Sequence, residues 1–259
     1  SDPSASLQVK IDTSPLNGGI TDLVVVDDIQ PGTDNITSGG FTNDPSPDFS
    51  GKAQAGTTIT FYDNGVLMGS ALVRGDGTWN FTPVTPLLDG SHLITTTVTN
   101  GVSTTPPSAL IQFTVDSVAP DNTTVVVNDD QAPGIGLIAN GGTTNDKTPI
   151  FSGVAGTLQG SEAGSTVIIT EGGVEIGRAT VGLTGGWTIT PSSNLGEGPH
   201  NFVITVVDKA GNASPGSNFT LTVDSVPPAQ ITQFTLVDDA VPGLGNIAQN
   251  GFTNDTKPT

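Results

Sequence analysis

The residues of this chain that could do chemistry are aspartates, and they recur in a fixed order. An aspartate ends a run of alternating apolar residues, an adjacent acid pair follows, and a Thr-Asn-Asp triplet follows the pair. The order occurs three times, and equivalent acids lie 102 residues apart at the first step and 109 at the second, as from Asp28 to Asp130 and from Asp130 to Asp239. A unit of about a hundred residues therefore repeats, and each junction between units carries a cluster of acids.

Such clusters call for a cation. Two carboxylates about 5 Å apart repel by several kcal/mol at an effective dielectric near 20. Carboxylates, an Asn amide oxygen and backbone carbonyls are the ligands that calcium takes at coordination six to eight. Zinc or copper would call for His and Cys, and the chain has two His and no Cys. Magnesium prefers fewer protein ligands and more water, so it ranks second.

The sequence therefore predicts calcium sites, although no copy matches the twelve-residue EF-hand loop and the signal rests on repetition. The alternative is that each Asp caps a turn through its own hydrogen bonds. That alternative explains one Asp per loop well and paired acids at three places badly. The predicted metal ligands are Asp27, Asp28, Asp44, Asp116, Asp129, Asp130, Asp146, Asp208, Asp224, Asp238, Asp239 and Asp255.

The segments between these acids, which must position them, are predicted to be β-strands. Apolar residues alternate in several short runs, for example Phe202, Ile204 and Val206, and Gly-rich turns separate the runs. No helical periodicity is present. Seven short strands in about a hundred residues predict an all-β chain of tandem immunoglobulin-like β-sandwich domains in an extended array. The predicted boundaries are 1–12 for the last strand of a preceding repeat, 13–116 and 117–224 for two full repeats, and 225–259 for the N-terminal part of a further repeat.

Strand alternation then places the acids. The loop after the first strand and the end of the last strand share the bottom of a sandwich, so Asp27, Asp28, Asp44 and Asp116 should converge at the bottom of repeat one. The loop between the sixth and seventh strands lies at the top, and in repeat two it runs from Asp208 to Asn212. The top of repeat two should face the bottom of repeat one, which puts the predicted site at the seam.

Charge and composition exclude several classes of function. Seven Lys plus Arg against 25 Asp plus Glu give a net charge of −18, so nucleic acid and direct membrane insertion are not expected. The absence of Cys leaves no disulfide framework. No targeting segment or long apolar run is visible, and the chain opens and closes within a repeat, as expected of a piece of a longer protein.

Other residues of catalytic or binding type have simpler interpretations. Trp79 and Trp187 are expected in the cores rather than as sugar-stacking platforms. His92 and His200 follow Asp-Gly and Glu-Gly at the start of a strand and are expected to be ordinary turn-exit residues. The PGIGLIANGG segment lacks the Lys-Ser/Thr of a phosphate loop and is predicted to be a loop. No enzyme activity is expected.

The residues also resemble a known family. The segments TNDxxPxFSGxAxAG, DNGVLMGSA with its counterpart EGGVEIGRA, GxWxxTP, VVDKAGNAS and FTLTVDSVPP are similar to bacterial Ig-like repeats of giant type I-secreted non-fimbrial adhesins. This resemblance covers both full repeats and both fragments. It implies an Ig-like fold, calcium at inter-domain aspartates, and a surface fibre, linked to virulence, that is secreted, retained at the bacterial cell surface and contacts host cells. Repeat one departs from the pattern, because Asn100-Gly-Val-Ser stands where repeat two has Asp208-Lys-Ala-Gly. A metal site at the top of repeat one is therefore in doubt.

Two classes of function follow. The first is a calcium-rigidified spacer of an adhesin stalk, monomeric, whose partners are the neighbouring repeats and the host cell surface. The second is a carbohydrate-binding module that contacts host glycans directly through loops such as 154–164 and the Trp residues. Buried indole rings would favour the spacer. A linker in a secreted glycosidase is a third and weaker interpretation.

Overall fold

The structure is a computed structural model that describes residue 16 and residues 18–30, 34–156 and 162–259. The predicted strand at 1–12 and residues 157–161 of the 154–164 loop lie outside these ranges. Residues 1–224 form one compact unit and residues 225–259 a second. Regular structure in the described part is entirely β, which confirms the predicted all-β class.

The first sandwich, called sandwich one, has a three-stranded and a five-stranded sheet. The sheet orders are β1-β3-β6 and β2-β8-β7-β4-β5. Its strands are β1 Thr21–Val26, β2 Gly40–Thr42, β3 Asp48–Lys52, β4 Thr58–Asp63, β5 Val66–Leu72, β6 Thr78–Phe81, β7 Gly90–Thr99 and β8 Ile111–Val115.

The second sandwich, called sandwich two, repeats this plan with one more short strand. Its sheet orders are β10-β9-β12-β15 and β11-β17-β16-β13-β14. Its strands are β9 Val126–Asp129, β10 Gly136–Ile138, β11 Gly142–Thr144, β12 Ile150–Val154, β13 Thr166–Glu171, β14 Val174–Thr180, β15 Gly186–Ile189, β16 Gly198–Val207 and β17 Ser217–Val223.

Each sandwich has its own aromatic core. Trp79 is 1% exposed and Trp187 is 4% exposed, which confirms that both are core residues. In sandwich one the Phe61 ring stacks on Phe81 with centroids 4.1 Å apart. In sandwich two Phe151 meets Phe202 edge to face at 5.1 Å. The inward-facing apolar residues of the alternating strands therefore bury two separate cores, as a sandwich requires.

Two glycines bring a strand close to each Trp ring. A Cβ on Gly51 would lie 2.8 Å from both the Thr21 carbonyl oxygen and Trp79 Cζ2. A Cβ on Gly153 would lie 1.9 Å from the Thr124 carbonyl oxygen and 2.8 Å from Trp187 Cζ2. Glycine is the residue that permits such close approach of the backbone.

The short strand before each Thr-Asn-Asp triplet pairs parallel to the last strand of the same sandwich. Gly40 to Thr42 pair with Phe113 to Val115, and Gly142 to Thr144 pair with Leu221 to Val223. The sequence interpretation did not contain these strands, because it treated the Gly-rich segment PGIGLIANGG as a loop. Since parallel strands end at the same edge, the triplet and the terminal Asp of each sandwich lie at one end.

The unit at 225–259 contains a single short hairpin, β18 Leu236–Asp238 and β19 Gly245–Ile247. Leu236 pairs with Ile247 and Asp238 with Gly245. Val237 and Thr259 exchange backbone hydrogen bonds of 2.6 and 3.1 Å, which tie the last residue to the hairpin.

Candidate metal centre

The first acids lie at the end of β1 in a network centred on Thr42. The Thr42 hydroxyl donates to Asp27 Oδ2 over 2.6 Å and accepts from the Asp44 N–H over 3.0 Å. Asp27 Oδ1 accepts from the Ile29 N–H at 2.9 Å. Asp27, Thr42 and Asp44 are all buried. A short loop thus holds two predicted ligands together below the sheet.

Asp44 is buried among negative charge. Its Oδ1 accepts from the Ser46 N–H at 2.7 Å and its Oδ2 from the Asp28 N–H at 3.5 Å. Burial raises the pKa of the Asp44 carboxyl, the charges of Asp28 and Asp27 add to the increase, and the two N–H donors oppose it. Ionised Asp44 is therefore a group that a neighbouring cation would stabilise.

Asn43 contributes an oxygen that has no partner. Its side chain is buried and its Nδ2 lies 3.5 Å from the Gln30 carbonyl oxygen, while Oδ1 makes no hydrogen bond within the described residues. A buried amide oxygen without a donor costs free energy. The sequence prediction did not include this Asn among the ligands, although it lies within each Thr-Asn-Asp triplet.

The equivalent Asn of the other copies shows where such an oxygen points. A Cβ on Gly134 would lie 3.4 Å from Asp129 Oδ2 and 3.5 Å from Asn145 Oδ1. In the 225–259 unit a Cβ on Gly243 would lie 3.2 Å from Asp238 Oδ2 and 3.5 Å from Asn254 Oδ1. A carboxylate and an amide oxygen thus converge on the space beside a glycine that follows a proline.

The network of sandwich one recurs in sandwich two. The Thr144 hydroxyl donates to Asp129 Oδ2 at 2.5 Å, and the Asp130 N–H donates to Asp146 Oδ2 at 3.3 Å. The Asp224 N–H donates to the Thr144 carbonyl at 2.8 Å, which places the terminal Asp beside the triplet.

The 225–259 unit keeps the same contacts in a more exposed setting. The Thr253 hydroxyl donates to Asp238 Oδ2 at 2.6 Å, and the Asp239 N–H donates to Asp255 Oδ2 at 3.5 Å. The pKa of Asp239 is raised by its side-chain hydrogen bond with Asp255 and by the charge of that neighbour. The pKa of Asp255 is lowered, chiefly by the Lys257 N–H. The two carboxyls therefore influence each other's ionisation, as neighbouring acids do.

Asp116 connects the acidic end of sandwich one to sandwich two. Its N–H donates to the Thr42 carbonyl at 2.9 Å, and its own carbonyl accepts from Asn212 Nδ2 at 2.7 Å. Asp208 Oδ1 accepts from the Ala210 and Asn212 N–H groups at 2.8 and 2.9 Å. The Asp208–Asn212 loop therefore touches the end of sandwich one where Asp116 leaves β8.

Two small cavities open at this contact. One of 360 Å³ is lined by Asp116 and Asp208, together with Glu162, and one of 220 Å³ is lined by Asp27 and Asp208. Lys209 and Phe41 line both, and the Lys209 ammonium lies 5.5 Å from the centre of the Phe41 ring. Asp208 thus lines both cavities, with Asp116 in the first and Asp27 in the second, and Asp44 is joined to this end through the Thr42 hydroxyl and the Asp28 N–H.

The donor chemistry suits a hard cation with a mixed ligand set. Among the described residues, no three His, Cys, Asp or Glu side chains are grouped as a metal site of their own. Asp27, Asp44 and Asp208 each accept a hydrogen bond from the N–H two residues on, so the turn-capping interpretation also holds for them. The unpartnered Asn43 oxygen and the buried Asp44 carboxyl are the groups that fit calcium.

The two histidines differ from the sequence interpretation. Both are buried, and each ring bridges two oxygens. His92 Nδ1 lies 2.7 Å from Asp63 Oδ2 and Nε2 lies 2.7 Å from the Leu88 carbonyl. His200 Nδ1 lies 2.7 Å from Glu171 Oε1 and Nε2 lies 2.9 Å from the Gly196 carbonyl. In both repeats an acid lies 29 residues before the His, and this spacing in the sequence could have indicated the pairing.

Comparison with known proteins identifies the family. The sequence profile of the bacterial Ig-like domain matches residues 21–117 and 121–225. The chain belongs to this family. That match confirms the Ig-like part of the resemblance, and the tandem Ig-like sandwiches are as predicted. No curated protein matches the chain.

Several solved structures are similar to the chain at low identity. The fibronectin(III)-like modules of Clostridium thermocellum CbhA are 15% identical over 77% of this chain and 94% of theirs, with a TM-score of 0.44. The BSP domain of a biofilm associated protein is 20% identical over 74% of this chain and 30% of its own, with a TM-score of 0.27. Domains FN1–FN3 of chicken CNTN1 are 11% identical over 83% and 70%, with a TM-score of 0.40. At these values the likenesses carry no argument about function. The part of the chain that the structure describes holds no helix long and apolar enough to cross a membrane.

Proposed function

We propose that this chain is a stalk module of a bacterial surface adhesin whose Ig-like repeats are stiffened by calcium at their junctions. The observation that carries the proposal is the end-to-end contact in which Asn212 of sandwich two donates to the carbonyl of Asp116 in sandwich one. Asp27 and Asp208 line a cavity at the same contact. Acids from both sandwiches line this contact with one cationic side chain, Lys209, so a bound cation would reduce the repulsion between them.

Calcium would be held by the oxygens already named. At the acidic end of sandwich one these are Asp27, Asp28, Asn43, Asp44 and Asp116, and Asp208 joins them from sandwich two. The equivalent acids at the end of sandwich two are Asp129, Asp130, Asp146 and Asp224, and in the C-terminal unit they are Asp238, Asp239 and Asp255. The ion would supply positive charge between carboxylates and a second connection across the junction besides the polypeptide.

The partners follow from this role. The stalk would be extracellular and retained at the bacterial cell surface, with neighbouring repeats as its immediate contacts and the host cell surface beyond them. A monomer suits a net charge of −18. Export by type I secretion would suit a Cys-free chain that folds once it meets millimolar calcium outside the cell.

Direct glycan binding is less well supported. Sugar platforms need exposed aromatic faces, and both Trp rings are buried in the cores. The Trp187 Nε1 donates to Thr123 Oγ1 at 2.6 Å, so its polar atom is also committed to the fold. The stalk is therefore the preferred proposal.

The test is the effect of Asp208→Asn on calcium binding. Asn100, at the equivalent loop of sandwich one, accepts from the Val102 and Ser103 N–H groups, so an Asn in this loop keeps the turn while it removes the charge. For an extracellular-type site with a Kd of about 10⁻⁴ to 10⁻³ M, millimolar calcium adds about 0.4 to 1.4 kcal/mol. We expect wild type to gain that stability and Asp208→Asn to lose the share from this junction.

Titration calorimetry and thermal unfolding with and without chelator measure both quantities. Asp76→Asn is the matched control, since Asp76 is exposed and its carboxylate caps only the local Thr78 turn. A wild-type melting temperature that chelator leaves unchanged would refute calcium stiffening. Equal stoichiometry and affinity in wild type and Asp208→Asn would remove Asp208 from the ligand set.

A further inference from the structure

The two sandwiches differ in the charge of the strand at the edge of their five-stranded sheets. β5 and β14 are the equivalent edge strands, VLMGSAL and VEIGRAT. In β14 the exposed Arg178 guanidinium pairs with Glu175, with Nε 2.6 Å from Oε1. In β5 the same two positions hold Leu67 and Ser70, and the strand has no charged residue. Charged side chains and β-bulges both protect an edge strand against pairing with another chain. Both edge strands have a register shift against their neighbour, and only β14 also carries charges.

Near the β5 edge, sandwich one also has apolar residues at positions where sandwich two has glycine or polar residues. Leu88 is 82% exposed where sandwich two has Gly196, and Val84 is 93% exposed where it has Ser192. Pro86 replaces Asn194 in the same segment. In sandwich two the Ser192 N–H donates to the Ile176 carbonyl at 2.9 Å and closes the segment onto the edge strand.

A groove of 570 Å³ lies at this edge. Its lining includes Val66, Leu67, Pro86 and Leu88, together with the hydrogen-bonded pair of Asp63 and His92. No Lys or Arg of the described residues lines it. Clustered exposed apolar side chains beside a free strand edge are the combination that binds an extended peptide: main-chain hydrogen bonds give affinity and the groove receives alternate side chains.

We propose that β5 of sandwich one is a docking site for an extended segment of a partner protein, which adds a strand to the sheet and carries alternating apolar and cationic side chains. Charge selects this occupant. Two copies of a chain with a net charge of −18 repel each other, whereas Lys or Arg on the partner strand would be attracted to the acidic surface of this chain. The proposal stands whether or not calcium binds at the junction.

The test uses the 259-residue chain and a synthetic peptide that alternates Val and Lys. We expect the peptide to bind with one site per chain and to slow amide exchange in β5. Leu67→Glu/Ser70→Arg copies the edge of sandwich two, leaves the net charge unchanged, and introduces two residues that sandwich two accepts at these positions. We expect it to weaken binding by at least about tenfold, or about 1.4 kcal/mol.

Matched peptides separate this binding from general attraction to an acidic protein. A Ser/Lys peptide of the same charge and a Val/Glu peptide should both bind at least about tenfold more weakly. Equal binding of the Ser/Lys peptide, or no loss in the double variant, would overturn the proposal. A wild-type dimer in sedimentation that the double variant abolishes would also overturn it, in favour of a second copy as the occupant.

Discussion

At the scale of single residues, the buried histidines act as cross-links between hairpins. Each ring faces a carboxylate with one nitrogen and a backbone carbonyl with the other. His92 thus joins the end of β4 to the loop before β7. Sandwich two makes the same connection with Glu171 in place of Asp63. The position therefore requires a carboxylate, and the length of the side chain that carries it can vary.

We expect His92→Ala to destabilise sandwich one by about 1 to 3 kcal/mol, because it removes the ring contacts to Asp63 Oδ2 and to the Leu88 carbonyl, while Asp63 Oδ1 keeps the Leu93 N–H. Denaturant unfolding followed by Trp fluorescence measures this, since Trp79 and Trp187 report on one sandwich each. A double-mutant cycle with Asp63→Ala isolates the pair. Additive losses would show that the His acts through packing alone.

His200→Ala is the internal control for that experiment. It should lower the stability of sandwich two by a similar amount because its two acceptors lie at nearly the same distances. The transition reported by Trp79 should not move. A shift of both transitions would show that unfolding of one sandwich is coupled to the other.

At the scale of elements, periodicity predicted the longer strands and missed the shortest. Phe202, Ile204 and Val206 alternate over enough residues to define β16, and all three are buried. β2, β10 and β11 have three residues each, too few to show a period of two. Their partners are also distant: Thr144 pairs with Val223, a parallel contact that no local pattern encodes.

The close approach of β12 to the core gives a prediction for this scale. We expect Gly153→Ala to destabilise sandwich two by about 1 to 3 kcal/mol, because the new methyl would overlap the Thr124 carbonyl and press on the Trp187 ring. The control is Gly196→Ala: nothing lies within 4 Å of a Cβ there, and sandwich one holds Leu88 at the same position. A change within about 0.5 kcal/mol is expected for the control.

Chemical unfolding with Trp187 fluorescence compares the two variants directly. If Gly153→Ala were as stable as wild type, the segment at Thr124, just before β9, would have to move away from β12, and the close contact would carry no structural role. A loss in the control of the same size as in Gly153→Ala would mean that overlap with Trp187 is not the cause.

At the scale of the whole molecule, the sequence predicted where the acids lie, but it could not show whether they bind a metal. Alternating strands put the first loop and the last strand end at one edge, and Asp27, Thr42 and Asp116 do lie there. The sequence could not show that the carboxylates also accept hydrogen bonds from their own loops, or that Asn43 Oδ1 would be left without a donor. Those details depend on backbone geometry, and the metal stays a prediction.

The last prediction concerns the stiffness of the junction between the sandwiches. Pro120 lies in the short connection after Asp116, where it fixes φ and limits bending. The Asn212–Asp116 bond and the Lys209–Phe41 contact already join the two ends without a metal. Calcium would add charge neutralisation to this contact. We therefore expect a preferred inter-sandwich angle without calcium and a narrower range of angles with it.

The absence of Cys makes this measurable with spin labels at two introduced cysteines. Val102 and Leu183 are suitable positions for the cysteines, because both side chains are exposed and the two residues lie in different sandwiches. Pulsed electron resonance should give a distance distribution that narrows when calcium is added and stays broad in Asp208→Asn. Small-angle scattering of the unlabelled chain should show a more extended particle in calcium. Identical distributions in calcium and in chelator would mean that the protein contacts alone set the angle, and the acids would then serve the loops rather than a metal.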